Sequence, residues 1–188
     1  MSDFTVHTIE TAPDQSVALL QGAQKAFGFV PNLIGVLAES PAAAEAYLTL
    51  SQIFDKSSLT PAERQVAILA ISRYHECDYC MAVHSVIASM QKVPADVIQA
   101  IRNDQPIADT KLEALRTFAT TVVDKRGWVS DDDVAAFLST GYNHAQILEI
   151  ILAASLKTLS NYANHVAKTP LDDAFASRAW QPLKKPAA

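Results

Sequence analysis

The chain contains two cysteines, Cys77 and Cys80, with two residues between them, and His84 follows four positions after the second. If this segment is helical, the three side chains share one face, so the imidazole comes within reach of a thiol. A thiolate can attack a peroxide or a disulfide, and a neighbouring cysteine can then resolve the oxidised sulfur as an intramolecular disulfide. The types and the spacing of these residues therefore indicate dithiol redox chemistry.

The positions relative to His84 suggest which cysteine attacks. A free thiol has a pKa of about 8.5, and a helix N-terminus or a nearby imidazole favours the thiolate. Cys80 lies one helical turn before His84 and is better placed than Cys77 to share a proton with it. We therefore expect Cys80 to attack and Cys77 to resolve the intermediate.

Two other uses of the same residues remain open. Both cysteines could be small buried apolar residues, with His84 on the helix surface, although a lone C-x-x-C pair more often serves redox or metal chemistry. A structural zinc ion is the second alternative, and it requires four ligands. The fourth would join Cys77, Cys80 and His84 from a distant residue or from one of three neighbours, His75, Glu76 and Asp78.

The composition predicts one compact domain spanning residues 1–188, since 49% of the residues are hydrophobic and suffice for a core. A formal charge of -5 and a pI of about 5.4 argue against a nucleic-acid partner. The N-terminus lacks the pattern of a secretory signal, and no apolar stretch reaches the length of a membrane span. We expect a cytoplasmic protein with no membrane partner.

The residues that begin and end elements are those of helices, and alternating β-branched runs are few, so the sequence predicts an all-α fold. Ser40 precedes Pro41 and is expected to cap a helix that runs to about Asp55. Thr60 and Glu63 have the spacing of a capping box for the next helix. Further helices are predicted over residues 14–27, 31–38, 95–102, 110–125 and 131–139.

Three further features concern the middle and the end of the chain. A break near residues 75–76 would let a helix run over residues 77–91, with both cysteines at its positive end. The longest apolar pattern follows Asn143, which caps a helix that we expect to be buried, either in the centre of the domain or in a subunit interface. From Ser177 onward the tail is expected to pack loosely.

The residues also suggest a family. The segments Leu59–Arg73 and Glu76–His84 together resemble the core of the AhpD-like alkylhydroperoxidases in the carboxymuconolactone decarboxylase superfamily. The flanking segments Phe27–Leu33, Asn161–His165 and Thr169–Asp172 are similar to those of its peroxidase-related branch. The resemblance thus covers most of the chain.

This resemblance implies a helical bundle with the C-x-x-C at the N-terminus of a core helix, assembled as a homo-oligomer. It also implies thiol peroxidase or thiol–disulfide chemistry, rather than the decarboxylase chemistry of relatives that lack the cysteine pair. Under it, Cys80 would be the peroxidatic residue, Cys77 the resolving residue and His84 part of a proton relay.

The chain departs from the family pattern near the relay. Members carry an acidic residue twelve positions before the first cysteine, where this chain has Gln65, whose amide cannot take a proton. Glu63 is a candidate substitute, although the capping box already explains it. Glu76 is another candidate base, although an exposed carboxylate at a helix start explains it equally well. Tyr79 stands where some members carry a histidine, so peroxidase activity could be weak.

The leading hypothesis is an enzyme without cofactor or metal that reduces a small hydroperoxide through a Cys77–Cys80 disulfide, with electrons from an unidentified dithiol donor. The alternative is a redox sensor or interaction protein of the same fold, in which the pair switches the assembly without turning over peroxide. The candidate catalytic residues are Cys80, Cys77, His84, Glu76, Gln65 and Glu63.

Overall fold

The computed structural model describes residues 4–182, and within them all regular structure is helical, which confirms the all-α prediction. A 3-10 helix, Asp173–Arg178, follows the α-helices. The α-helices in chain order are α1 Asp14–Phe27, α2 Asn32–Leu37, α3 Pro41–Phe54, α4 Pro61–Tyr74, α5 Asp78–Met90, α6 Ala95–Arg102, α7 Thr110–Asp124, α8 Asp131–Ser139 and α9 His144–Ala167.

The predicted helix starts are confirmed by their hydrogen bonds. The side chain of Ser40 accepts a hydrogen bond from the amide of the third residue of α3. Thr60 and Glu63 form the predicted capping box of α4, and Asn143 forms another with Gln146 at the start of α9. These contacts satisfy backbone amides that have no partner within the helix, so local sequence alone sets where α3, α4 and α9 begin.

Helix α4 is the centre of the domain. Its residues 66–71 are each at most 5% exposed, and the helix packs against α5, α6, α7 and α9. Both faces of α4 are therefore covered, which is the pattern of a helix that is apolar all round. Because α5 follows α4 directly and packs against it, the cysteine pair at the start of α5 lies in the interior.

Within the chain, α9 is buried on one side only. One face packs against α2, α3, α4, α5 and α7, whereas Leu148 and Val166 on another face are largely exposed. The buried face carries polar groups, Lys157 among them, so apolar content did not indicate which side faces inward. No helix within residues 4–182 combines the length and the hydropathy that a membrane span requires. The subunit-interface alternative for α9 stays a prediction.

The tail beyond residue 177 is packed as far as Trp180, contrary to the expected loose packing. The indole N–H of Trp180 donates to the carbonyl of Arg102, and the guanidinium of Arg102 donates in return to the carbonyls of Arg178 and Ala179. Trp180 is 9% exposed and joins the main core. Residues 183–188 lie outside the described part, and the single-domain organisation stays a prediction.

Candidate redox-active site

The break between α4 and α5 sets the position of the cysteines. Glu76 adopts a left-handed backbone conformation with φ of 56°, and the amide of Cys77 bonds back to the carbonyl of Ser72 at 3.0 Å. The chain thereby leaves α4 and starts α5 with Cys77 at the N-cap and Cys80 in the first turn. The predicted C-x-x-C at the start of a core helix is confirmed, with both thiols free and buried.

Four polar groups surround the sulfur of Cys80. The ammonium Nζ of Lys157 lies 3.3 Å from Sγ, and the amide Nδ2 of Asn164 lies 3.3 Å from the same atom. Cys77 and Ser160 are also close to it and favour the thiolate, although the Ser160 hydroxyl donates to the carbonyl of Leu156. Asn164 Nδ2 lies 3.8 Å from Cys77 Sγ, so this one amide contacts both sulfurs. Donors converge on Cys80, and this is the environment of a thiolate.

The two thiols differ in acidity. Burial alone would raise the pKa of Cys80, but the hydrogen bond from Cys77 and the charge and hydrogen bond of Lys157 outweigh it and lower the pKa to about 5. The pKa of Cys77 is raised, because its proton is held in the hydrogen bond to Cys80 and because it is buried. These shifts favour a thiolate on Cys80 and a thiol on Cys77. The assignment of Cys80 as the attacking residue and Cys77 as the resolving residue stays a prediction.

The Lys157–Cys80 ion pair is nearly balanced energetically. At 3.3 Å the attraction is about 5 kcal/mol for an effective dielectric of about 20. Burying each ion costs several kcal/mol, so attraction alone does not exceed the cost. The hydrogen bond from Cys77 adds to the charge and the hydrogen bond of Lys157 and tips the balance toward the charged form. The buried Lys157–Cys80 ion pair therefore adds little to the stability of the fold.

His84 links Lys157 to Gln65. Its Nε2 lies 3.2 Å from Lys157 Nζ, and its Nδ1 lies 3.1 Å from Gln65 Oε1. An ammonium only donates, so Nε2 accepts, and Nδ1 carries the hydrogen that is donated to Gln65. Burial, and after it the charge of Lys157, lowers the pKa of His84 well below its usual value. His84 is thus a neutral imidazole with a fixed tautomer.

The two candidate carboxylates do not reach the thiols. Glu63 bonds to Thr60 and forms an ion pair with Lys111 at 3.1 Å, at the far end of α4. Glu76 is exposed. Neither lines the cavity in front of Cys80. No contact of Glu63 or Glu76 with the thiols or with His84 supports their suggested roles as relay bases. Gln65, by contrast, contacts His84.

The sequence reasoning missed Lys157 and Asn164. Both stand in the long apolar run of α9, where Lys157, Asn161 and Asn164 recur every three or four residues and so share one face. Polar residues at that spacing inside an apolar helix are the signal that could have found them. Asn161 contacts the same region from the other side, since its Oδ1 lies 2.9 Å from His75 Nδ1.

A cavity of about 730 Å³ opens in front of Cys80. Cys80, His84, Lys157 and Gln65 form its polar base. Most of the remaining wall is apolar or aromatic, and it includes Phe27, Phe29, Leu33, Ile34, Tyr47, Phe54, Ile68, Val83, Ile87, Met90 and Phe175. A ligand that reaches the sulfur must therefore leave water and pass apolar walls, and this favours an apolar molecule with one polar reacting end.

Tyr79 joins two of the three flanking segments that carry the family resemblance, Phe27–Leu33 and Thr169–Asp172. Its hydroxyl donates to Asp172 Oδ2 at 2.6 Å and accepts from the amide of Leu33 at 3.2 Å. The other oxygen of Asp172 accepts from the amide of Asn32 at 2.9 Å. Burial and the bond to Asp172 raise the pKa of Tyr79, so its hydroxyl keeps its proton. Tyr79 therefore stabilises the cavity wall and does not transfer protons within the site.

The zinc alternative finds no support in the geometry. Within residues 4–182, no three His, Cys, Asp or Glu side chains are arranged to hold a metal ion together. The position beside Cys80 and His84 that a zinc ion would take is filled by the Lys157 ammonium, which repels cations.

Residues 41–121 match the Carboxymuconolactone decarboxylase family. This segment runs from α3 through most of α7 and contains both cysteines, His84 and Gln65, but it ends before Lys157. No curated protein matches the chain.

Solved structures share the fold. An alkylhydroperoxidase AhpD core from Ralstonia eutropha JMP134, an uncharacterized peroxidase-related protein, has a TM-score of 0.79 at 24% identity, over 92% of this chain and 93% of that chain. An uncharacterized peroxidase-related protein from Silicibacter sp. TM1040 has a TM-score of 0.78 at 16% identity, over 94% and 93%. A variant of the debrominase Bmp8 in complex with 2,3,4-tribromopyrrole has a TM-score of 0.75 at 20% identity, over 95% and 96%. The predicted resemblance is confirmed: residues 41–121 match the carboxymuconolactone decarboxylase family, and the fold of the chain is similar to that of an AhpD core.

Proposed function

We propose that this protein is a thiol-dependent hydroperoxide reductase that cycles through a Cys77–Cys80 disulfide. The thiolate of Cys80 attacks the terminal oxygen of a hydroperoxide and releases the alcohol, leaving a sulfenic acid. The thiol of Cys77 then attacks that sulfur, and water leaves as the disulfide forms. An external dithiol donor returns the pair to its reduced state.

One observation carries the proposal: the sulfur of Cys80 faces a cavity, with an ammonium 3.3 Å away and a thiol partner one turn earlier. A nucleophilic thiolate, a group that can protonate a leaving oxygen and a resolving thiol are what peroxide reduction requires. The AhpD-like fold and the peroxidase-related neighbours support the same family-level role.

The site residues divide the work. Lys157 and Asn164 stabilise the thiolate by donating to it. His84, held by Gln65, accepts from Lys157 and so orients the ammonium. The apolar walls of the cavity would bind the organic part of a hydroperoxide and exclude water from the sulfur.

The test is an intact-mass and thiol-count measurement on the reduced protein before and after about one equivalent of cumene hydroperoxide. Disulfide formation removes two hydrogens, so we expect a loss of two thiols and about two mass units within seconds. Cys77→Ser is the matched control, and it should gain about one oxygen atom instead. Two unreacted thiols in the wild type would refute the proposal.

Reductive dehalogenation is a second candidate, favoured by the volume of the cavity. A wall of aromatic side chains around about 730 Å³ suits a ring better than a small peroxide. The debrominase with a similar fold is in complex with a brominated pyrrole. In this reaction the dithiol would supply two electrons, the ring would exchange bromine for hydrogen, and bromide and the disulfide would be the other products. Release of bromide from 2,3,4-tribromopyrrole, with no reaction toward cumene hydroperoxide, would favour it.

The proposal includes a homo-oligomer and an unidentified dithiol as electron donor. If oxidation changed the assembly size without sustained loss of peroxide, the pair would act instead as a redox switch. Size-exclusion chromatography of the reduced and oxidised protein, run beside a peroxide assay with excess dithiothreitol, separates the two roles.

A further inference from the structure

Lys157 has an unusual charge environment. Its side chain is only 1% exposed, and its Nζ contacts are Cys80 Sγ and His84 Nε2. Among the ion pairs within residues 4–182, none joins Lys157 to a carboxylate. A buried ammonium persists only where an opposite charge compensates its lost hydration. In the dithiol state that charge is the Cys80 thiolate.

The other groups near Lys157 cannot replace the thiolate. The titratable side chains that face this part of the site are histidine, tyrosine and cysteine: Tyr47, His75, Cys77, Tyr79, Cys80 and His84. Two carboxylates in the same region are engaged elsewhere. Asp55 pairs with Arg64, and Asp172 accepts from Tyr79 and from the amide of Asn32.

A disulfide between Cys77 and Cys80 carries no charge, so oxidation removes the only negative group that contacts Lys157 within the described residues. We infer that Lys157 is the catalytic acid of this site and that its charge follows the redox state of the cysteines: an ammonium beside the thiolate, a neutral amine beside the disulfide. The inference rests on the dithiol–disulfide couple of the proposed function but not on which substrate oxidises it.

The steps balance with a hydroperoxide as oxidant. When Cys80 attacks, the O–O bond breaks, an S–O bond forms, and the leaving alkoxide takes a proton from Lys157. The neutral amine then accepts the proton of the Cys77 thiol. Attack by Cys77 forms the S–S bond and expels hydroxide, which takes that proton from Lys157 and leaves as water. The pair has lost two electrons, and Lys157 is neutral.

Reduction reverses the charge change. The external dithiol supplies two electrons and two protons, of which one returns to Cys77 and the other to Lys157. The site is therefore neutral overall in both states, and two protons accompany two electrons even though Cys80 itself ends as a thiolate. If Lys157 stayed charged throughout, only the proton on Cys77 would be taken up.

This difference can be measured without any peroxide. The disulfide–dithiol equilibrium of the protein with dithiothreitol is determined between about pH 6 and pH 7.5, where the reagent keeps most of both thiol protons. For the wild type the two protons released by the reagent equal those taken up, so the equilibrium constant should change less than about twofold. Lys157→Arg keeps a charge that cannot be released, and its constant should change about tenfold per pH unit.

The protonation of Cys80 is checked in the same samples by its alkylation at about pH 6, since a protonated Cys80 would also give a constant independent of pH. A constant that changes about tenfold per pH unit in the wild type, or a Cys80 thiol that is protonated at about pH 6, would overturn the inference. The pH dependence of the wild-type constant tests the inference even if the Lys157→Arg variant does not fold. Failure of the pair to form any disulfide would instead refute the proposed function, so the two failures are distinguishable.

Discussion

The N-terminus of α4 and the middle of α9 each bury a charged side chain, and the two differ in what they contact. Glu63 accepts from Thr60 in the capping box and pairs with Lys111, so each of its contacts completes a structural motif. Lys157 contacts a thiolate and an imidazole at the base of a cavity. Both are at most 5% exposed, so burial alone does not distinguish them. The partners do.

This difference indicates how a polar residue in a core is to be interpreted. A buried charge that satisfies backbone groups stabilises the fold, and its removal should lower the free energy of unfolding. A buried charge whose partner is a reactive group costs stability in exchange for reactivity, so its replacement by an apolar residue should leave the fold intact. The predictions below separate the two cases.

Loss of the attacking sulfur should have the largest effect. Cys80→Ser should abolish turnover, because a serine hydroxyl beside Lys157 is not ionised. Cys77→Ser should permit one reaction that ends as sulfenic acid or a more oxidised product. Peroxide consumption and intact mass measure both. Full activity in Cys80→Ser would contradict the assignment of the nucleophile.

Replacement of Lys157 should lower activity without lowering stability. In Lys157→Met the pKa of Cys80 rises and the leaving group loses its proton donor, so peroxide reduction at about pH 6 should fall about 100-fold or more. Urea unfolding should show equal or greater stability, because a buried ion is replaced by a side chain of similar shape. A loss of less than about threefold in rate would show that the ammonium is dispensable.

Gln65→Glu should change the state of His84 with a smaller effect on rate. A carboxylate at the position of the amide oxygen, 3.1 Å from Nδ1, would favour the imidazolium and raise the pKa of His84. Nuclear magnetic resonance should then detect titration of His84 within about pH 5 to 8, where the wild-type residue stays neutral. We expect the rate to change by less than about tenfold. No titration in the variant would contradict the contact.

Glu63→Gln should give the smallest effect on the redox chemistry. The substitution weakens the capping box and removes the ion pair with Lys111, so the free energy of unfolding should fall by about 1 to 2 kcal/mol. The reactivity of Cys80 should not change. A loss of peroxide reduction beyond the change in stability would restore Glu63 as a relay base.

The sequence predicted most of the fold because its signals are local. Capping residues marked the starts of α3, α4 and α9, and the break near Glu76 placed both cysteines at the start of α5. The site was predicted only where its residues are near in sequence, as with Cys77, Cys80 and His84. Lys157 lies 77 positions from Cys80, outside the family-matched segment, and only the packing of α9 brings them together. The apolar periodicity of the sequence predicted helix α9 but not which of its sides faces the thiols.

The most direct test of the central claim, that Lys157 holds Cys80 as a buried thiolate, is a pH titration of the thiolate by ultraviolet absorbance in the reduced wild type. Cys80 should be a thiol at low pH and ionise with a pKa of about 5, because burial is outweighed by the hydrogen bond from Cys77 and the charge of Lys157. In the Cys77→Ser variant, where Cys80 is the only thiol, the pKa of Cys80 should still lie below the usual range of a thiol. A wild-type midpoint at about 8.5, that of a free thiol, would contradict the account.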